Sequence, residues 1–360
     1  MIAPYNLTVC QPTIELVFDD HDVFRPERLR ANVLHISELI RQGAREWRSK
    51  LFVLPQASFQ GCVIREVGQW IEAGLRLPGP ETELLGAVAR ETGAYIAACA
   101  FEVIDDFPGR YWNSAFVVAP SGDLVLVYRK HYAMTSKTRP IDVHTAFVRR
   151  FGEDALFPVV DTPIGRIGAA IAGDVNWPEV TRCLGMKGAE IIVNPTATGT
   201  RYDMYGRAGG DAVRAARAFE NLAYLAAPNV GRVAGDSGDP AGARAPSEIF
   251  DFNGALIARA DRSEETMVTA LVDIDALRRL RATPMANFLT ELQPSIAAAE
   301  YARAEFWEKD QWLGRPIRDQ AEVLAREQAI WSAMVAGGRF HGPCETEADP
   351  AAENLPGKAA

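Results

Sequence analysis

The sequence has little of what cross-links chains or binds metals. Its five cysteines, Cys10, Cys62, Cys99, Cys183 and Cys344, are odd in number, scattered and without a C-x-x-C pair, and the five histidines do not cluster with them. A disulfide framework and a structural zinc site are therefore not expected. No apolar run approaches the ~18 residues at which a membrane span becomes the natural reading. The first twenty residues lack a basic start followed by an apolar stretch and a small-residue cleavage site, so no export signal is read there and a cytoplasmic location is expected. Positive charge is also short: 38 Lys and Arg face 47 Asp and Glu, a net charge of −9. That balance argues against a general nucleic-acid or anionic-membrane binder. Phosphate loops, dinucleotide fingerprints and metal-ligand spacings are missing, so no cofactor and no metal are implied.

What remains is an ordinary globular composition, 48% hydrophobic and 24% charged. The pattern alternates strands and helices. Leu7 to Ile14 reads as a strand, and Pro26 to Trp47 places Leu29, Val33, Ile36, Leu39 and Ile40 at helical spacing. Leu51 to Leu54 is a short continuous apolar run ended by Pro55, as in a strand buried on both faces. A helix over Glu81 to Thr92 and a strand over Ala94 to Cys99 follow, then a hairpin, Tyr111 to Ala119 and Asp123 to Tyr128, turning at Pro120-Ser121-Gly122. The second half repeats this grammar: strand Ile167 to Ile171, helix Pro178 to Lys187, strand Ile191 to Asn194, helix Ala212 to Asn221, strand Tyr224 to Ala227, and a hairpin around Asn253-Gly254. The expected architecture is α/β, a mixed sheet with packed helices and two pseudo-symmetric halves. From Ser295 to Ala336 the chain reads as helical, with Tyr301, Phe306, Trp307, Trp312 and Trp331 as apolar anchors. After Gly337 the composition becomes rich in Gly, Pro, Glu and Ala, which predicts a disordered tail.

Three strand ends carry a more specific pattern. The first is Leu51-Phe52-Val53-Leu54-Pro55-Gln56 with Phe59-Gln60-Gly61. The second is Tyr111-Trp112-Asn113-Ser114-Ala115 through Ser121-Gly122-Asp123 to Tyr128-Arg129-Lys130. The third is Gly165 to Asp174, then Trp177-Pro178-Glu179 and Lys187-Gly188-Ala189-Glu190. Arg217 to Asn221 and Asn229-Val230-Gly231 follow in the same order. Over residues 5 to 280 the chain resembles the nitrilase or carbon–nitrogen hydrolase superfamily. The resemblance implies an αββα sandwich over 1–281, a helical C-terminal arm over 282–337, a disordered tail over 338–360, and a homodimer or higher homo-oligomer. A small-molecule ligand is the expected partner, without nucleic acid or membrane.

The superfamily's chemistry uses a Glu base, a Lys that stabilises the oxyanion, and a Cys thiolate nucleophile. At those positions this sequence has Gln56, Lys130 and Ala172. Gln keeps the shape of Glu and can accept a hydrogen bond from Lys130, but it cannot take a proton near neutral pH. Ala172 has no nucleophilic atom. A second family Glu falls near Phe147, which is not a carboxylate either. Beside a neutral Gln56 in a partly closed pocket, Lys130 is expected to have a depressed pKa. Such a lysine could act as a base or form a Schiff base.

Further candidates each have a plain structural reading. Asp174 could hold a turn through backbone N–H groups, or serve as a base or ligand contact. Trp112, Asn113 and Trp177 flank the motifs and are assigned to ligand binding. Cys183 could replace the missing nucleophile but reads better as a small buried residue. Strand alternation aims His131 away from Lys130. Asp142 and His144 fall in a loop, and specificity is assigned to the loops Thr135 to His144 and Thr198 to Gly210, with Tyr202, Asp203, Tyr205 and Arg207 as contacts. Trp177-Pro178-Glu179 is closest in flavour to the N-carbamoyl amino acid amidohydrolase branch and less so to the amidases. Three readings follow. The chain binds a small amide, carbamoyl or carbonyl ligand, or acts as a partner subunit, without thiolate hydrolysis; or it carries rebuilt lyase- or addition-type chemistry on Lys130; or it is a carbon–nitrogen hydrolase in an inactive variant.

Overall fold

The computed structural model describes residues 1–63, 65–133, 135–198, 210–235, 245–304 and 306–343. In chain order the strands are β1 Tyr5–Gln11, β2 Thr13–Glu15, β3 Leu51–Val53, β4 Tyr95–Glu102, β5 Trp112–Val118, β6 Leu124–Arg129, β7 Val159–Thr162, β8 Gly165–Ala169, β9 Ile191–Val193, β10 Tyr224–Ala227, β11 Arg232–Ala234, β12 Glu248–Phe250, β13 Leu256–Arg259 and β14 Thr266–Val272. The helices are α1 Pro26–Trp47, α2 Val67–Glu72, α3 Pro80–Thr92, α4 His144–Phe151, α5 Pro178–Met186, α6 Gly210–Asn221, α7 Ile274–Ala282, α8 Pro294–Arg303 and α9 Gln320–Ala336.

Two six-stranded sheets form, in the orders β14-β1-β3-β4-β5-β6 and β13-β12-β10-β9-β8-β7, and β11 pairs with β2 in a third, small sheet. Each large sheet has three parallel strands at its centre, flanked by antiparallel neighbours: a single strand on one side and a pair on the other. The two halves expected from the sequence are thus two sheets of matching plan rather than one sheet.

The sheets face each other across a shared apolar core. It joins Leu7, Val9, Leu51, Val53, Ala97 and Val117 of the first to Ile167, Ala169, Ile191, Val193 and Leu225 of the second. On the first sheet's outer face, alternate residues such as Phe52, Ile96, Ala98 and Phe116 pack under α1 and α3. Helix α1 starts with Pro26 in its first turn and ends where Arg48 turns left-handed, and it buries Leu29, Val33, Ile36 and Ile40. Gly43 sits where a Cβ would lie 2.7 Å from the Phe52 ring, so only glycine lets this helix approach the sheet so closely. Helices α5 and α6 pack together and cover the second sheet, completing the αββα order.

The C-terminal region departs from the expected run of helix. α8 and α9 are separate, and Trp307 and Trp312 lie in the irregular chain between them. Gly314 and Pro316 interrupt helical hydrogen bonding there, while the body supplies other partners. Trp312 packs with Ile317 and Val323. The Arg139 guanidinium lies 4.0 Å from the Trp307 ring centre, and Asp310 accepts the Thr145 N–H at the start of α4 at 2.8 Å. The expected tail is also ordered at its beginning: Phe340 stacks on Trp331 with ring centres 5.6 Å apart. Residues 344–360 lie outside the described residues.

The charged pair Arg129 and Glu102 is buried on the outer side of the first sheet. Arg129 donates to both carboxylate oxygens at 2.6 and 2.9 Å, and Ser114 Oγ adds a bond of 2.5 Å. The guanidinium also stacks 4.0 Å from the Phe151 ring centre. Removing one partner strands a charge, whereas removing both does not. Arg129→Met alone is expected to lower stability by ~3–5 kcal/mol in urea unfolding, and adding Glu102→Leu should recover most of that loss.

Candidate functional site

Strands β3, β6 and β8 deliver the three assigned residues from their C-terminal ends. Gln56 follows β3, Lys130 follows β6 directly, and Ala172 follows β8, so two sheets meet at one place. The backbone is stitched across that junction: Gln56 N–H donates to Thr196 O at 3.1 Å, and Ala172 N–H donates to Pro195 O at 2.8 Å. Ala172 opens a 3-10 turn, Ala172–Asn176, with φ of 45°. A left-handed conformation at a residue with a Cβ is costly and persists because the surroundings impose it. The turn therefore presents a side chain at an elbow, and that side chain is a methyl group.

Asp174, fully buried two residues on, organises the site. Its Oδ2 accepts from Tyr128 OH at 2.8 Å and Ile171 N–H at 2.9 Å; its Oδ1 accepts from Tyr132 N–H at 3.0 Å and lies 3.4 Å from Lys130 Nζ. Lys130 Nζ also donates to Ile171 O. Burial pushes the Lys130 pKa down, and Asp174 opposes that shift. Compensation thus comes from Asp174. Gln56 carries no side-chain hydrogen bond among the described residues, so the expected bond from Lys130 is not made.

The alternation of β6 continues past its end. Tyr128, Lys130 and Tyr132 all reach Asp174, while Arg129 and His131 turn the other way. His131 Nε2 lies 2.6 Å from Leu156 O and its ring stacks on Phe157 at 4.6 Å. Burial lowers its pKa. Trp177, at the end of the 3-10 turn, stacks on Tyr132 with ring centres 4.0 Å apart.

Several expectations are corrected here. Trp112 does not reach Lys130: it is fully buried on the opposite face of β5, between Phe107 and Phe147. Its neighbour Asn113 faces the other way, where Oδ1 accepts from Cys99 Sγ at 3.2 Å and Nδ2 is buried without a hydrogen-bond partner among the described residues. Phe147 is a core residue of α4. The segment read as a loop at Asp142 and His144 is a 3-10 turn, Pro140–Val143, running into α4. Asp142 is buried against Arg139 at 2.8 Å. Cys183 lies on α5, and burial together with Glu179 raises its pKa. Tyr202, Asp203, Tyr205 and Arg207 lie outside the described residues.

Within the loop Thr135 to His144, to which specificity is assigned, sequence reasoning did not single out Lys137. It is partly buried, donates to Thr135 Oγ1 at 2.9 Å and lies 5.2 Å from the Phe101 ring centre. Burial pushes its pKa down, and its charge helps depress that of Lys130.

Two facing mixed sheets between outer helices, with the assigned residues on three strand ends, make up the architecture of nitrilase-superfamily proteins. Residues 6–282 match the Carbon-nitrogen hydrolase family, and the chain belongs to that family. It is 29% identical over 213 residues to the omega-amidase NIT2-A of Xenopus laevis, covering 57% of this chain and 71% of that one. Among solved structures, the carbon-nitrogen hydrolase from Helicobacter pylori G27 superposes with a TM-score of 0.63 at 20% identity, covering 83% of this chain and 98% of that one. A double mutant of the amidase from Nesterenkonia sp. AN1, with one Glu-to-Gln and one Cys-to-Ala exchange and in complex with acrylamide, superposes with a TM-score of 0.58 at 17% identity, covering 82% and 97%.

Two predictions follow from this geometry. Asp174→Asn removes the charge facing buried Lys130 and one acceptor site, and should cost ~3–5 kcal/mol in chemical denaturation. The Cys99 thiol is pushed by burial from 9.0 up to about 12. The unfolded chain releases this proton above pH 9 and the folded chain holds it, so the associated stability is full below pH 9 and is lost as pH rises towards 12. Cys99→Ala should flatten the alkaline fall in stability by up to about 1.4 kcal/mol per pH unit.

Proposed function

We propose that this chain is a nitrilase-superfamily protein that holds a small amide, carbamoyl or other carbonyl ligand against Lys130 without hydrolysing it through a thiolate. The observation that carries this reading is Ala172. The left-handed elbow after β8 is present, while the side chain it offers cannot attack a carbonyl. Cys99 does not take its place: it is buried, its pKa is raised to about 12, and it donates to Asn113. At neutral pH almost none of it is the thiolate that acyl transfer requires.

The remaining groups suit binding. Lys130 Nζ has three N–H donors; one goes to Ile171 O and Asp174 draws another, which leaves one for a carbonyl oxygen. Asn113 Nδ2 is a second donor, without a hydrogen-bond partner among the described residues. Gln56 can offer both a carbonyl and an amide N–H to an amide ligand, where a carboxylate would only accept. The amidase double mutant with Glu-to-Gln and Cys-to-Ala exchanges, in complex with acrylamide, supports this reading by analogy, because Gln56 and Ala172 are read at the family's Glu and Cys positions.

A second reading, rebuilt non-thiolate chemistry on Lys130, is favoured by one observation: burial lowers the Lys130 pKa, which makes a neutral amine more accessible.

The two readings differ in turnover. A panel of amides, N-carbamoyl amino acids and small aldehydes is to be incubated with the native chain and with Lys130→Ala, with products followed by mass spectrometry and binding by calorimetry. Binding that is lost in Lys130→Ala, with no product from the native chain, is the expected result. A product that disappears with Lys130→Ala would replace the binding reading with the second one. Gln56→Glu combined with Ala172→Cys should then release ammonia from whichever amide binds, and a folded but silent double mutant that still binds it would count against a carbonyl carbon placed at the elbow.

A further inference from the structure

A cavity of about 480 Å³ opens between the start of α2, residues 135–137 and the start of α9. Lys137 lines it together with Tyr111, Thr135 and Ser136. We propose that Lys137 is the amine nucleophile of a second site, separate from the strand ends at Gln56, Lys130 and Ala172, and that it captures a small neutral aldehyde as an imine. This site does not depend on what lies against Lys130.

Lys130 and Lys137 differ in their partners. Asp174 lies 3.4 Å from Lys130 Nζ and opposes the fall in its pKa. Lys137 has one polar partner among the described residues, the Thr135 hydroxyl at 2.9 Å, and no carboxylate within ion-pair distance. Its Nζ lies 5.2 Å from the Phe101 ring centre, and a ring attracts a cation more weakly than a carboxylate does. A cation held there is costly, and losing the proton removes that cost. Burial accordingly pushes the Lys137 pKa down, against an opposing effect from the thiols of Cys62 and Cys99, and its charge and that of Lys130 repel each other. A lysine in its neutral form is the side chain that forms Schiff bases with carbonyl compounds. Because Lys137 is only partly buried, a ligand in the cavity can reach it.

Imine formation needs a proton donor for the carbonyl oxygen as well as the amine. Tyr111 supplies it: its ring packs edge-on against the same Phe101 ring at 5.7 Å, its OH is bonded to Ser136 Oγ at 3.2 Å, and burial pushes its pKa up to about 12, so it keeps its proton at neutral pH. The neutral Nζ adds its electron pair to the carbonyl carbon, one nitrogen proton is lost and the oxygen takes a proton, giving a carbinolamine. The hydroxyl then leaves as water with the remaining nitrogen proton, and the C=N bond forms. The wall sets the charge of the aldehyde. Asp22 lies 3.3 Å from Arg65 Nε, Glu66 stands at the start of α2, and Asp319 accepts the Glu322 N–H at 3.0 Å at the start of α9. With Lys137 neutral, three carboxylates and one guanidinium surround this space, which disfavours an anionic aldehyde, while Val63, Val67 and Ala321 offer apolar contact.

The chain has six lysines, so peptide mass mapping separates them. The full chain is to be incubated at neutral pH with butanal and cyanoborohydride, which reduces an imine to a stable secondary amine, and the adduct followed at each lysine. Exposed Lys50 and Lys309 serve as internal references. Lys137 is expected to be labelled at least ~10-fold faster than either, because each unit of pKa depression gives about tenfold more free amine at neutral pH. Its rate should saturate as butanal is raised. Glyoxylate, an anionic aldehyde, should lose this preference for Lys137 over the references. Tyr111→Phe, which keeps the ring, should slow labelling of Lys137 by ~10-fold or more and leave Lys50 and Lys309 unchanged. Labelling of Lys137 no faster than that of the references, or fast labelling that falls on Lys130 instead, overturns the proposal. An equal preference with glyoxylate overturns the neutral ligand class, and an unchanged rate in Tyr111→Phe overturns the part given to Tyr111. If Tyr111→Phe does not fold, the map of the native chain still decides on Lys137.

Discussion

One buried carboxylate ties the two sheets together where the site lies. Asp174 belongs to the second sheet's loop, yet three of its partners, Tyr128, Lys130 and Tyr132, come from the end of β6 in the first. Its two oxygens receive a phenol, two backbone N–H groups and an ammonium, so its desolvation is offset by charge-assisted bonds on every side. The elbow at Ala172 exists because this carboxylate fixes the turn that follows it. The same group faces buried Lys130 and opposes the fall in its pKa.

The C-terminal arm belongs to the same argument. Asp310 caps the start of α4, and Arg139 lies between Asp142 and the Trp307 ring. These contacts fix the chain just after Lys137. The start of α9, with Asp319, Gln320 and Ala321, also lines a cavity of about 480 Å³ together with Lys137. This segment lies outside the family match at 6–282.

Much of the fold was legible because its signals are local. The spacing of Leu29, Val33, Ile36 and Ile40, with Pro26 at the start, marks α1 from end to end. The short apolar run before Pro55 marks β3. The error at Trp112 was avoidable: adjacent strand residues face opposite ways, so Trp112 and Asn113 could not both line one pocket. The buried Arg139–Asp142 pair and the α4 cap were not legible, since their partners come from residues 307–312, far along the chain. Lys137 was hidden for a similar reason. A lysine in a stretch of Ser and Thr carries no periodic signal, and only its place over the Phe101 ring of β4 shows that it is partly buried. The break between α8 and α9 had a local signal, Gly314 followed by Pro316, that the aromatic pattern overrode.

The pairing of β1 with β14 has a consequence for the order of events during synthesis. Thr8 meets Thr269 across 261 residues of chain, with β3 on the other side of β1 as its near partner. Until the ribosome has released residue 272, one edge of β1 has no mate, and chains emerge at ~5–20 residues per second. For an interval of tens of seconds at the slower rates, a strand of alternating apolar residues is open to pairing with another nascent chain. Yield in a cell therefore depends on how that edge is shielded before the last strand arrives, whatever the equilibrium stability of the finished protein.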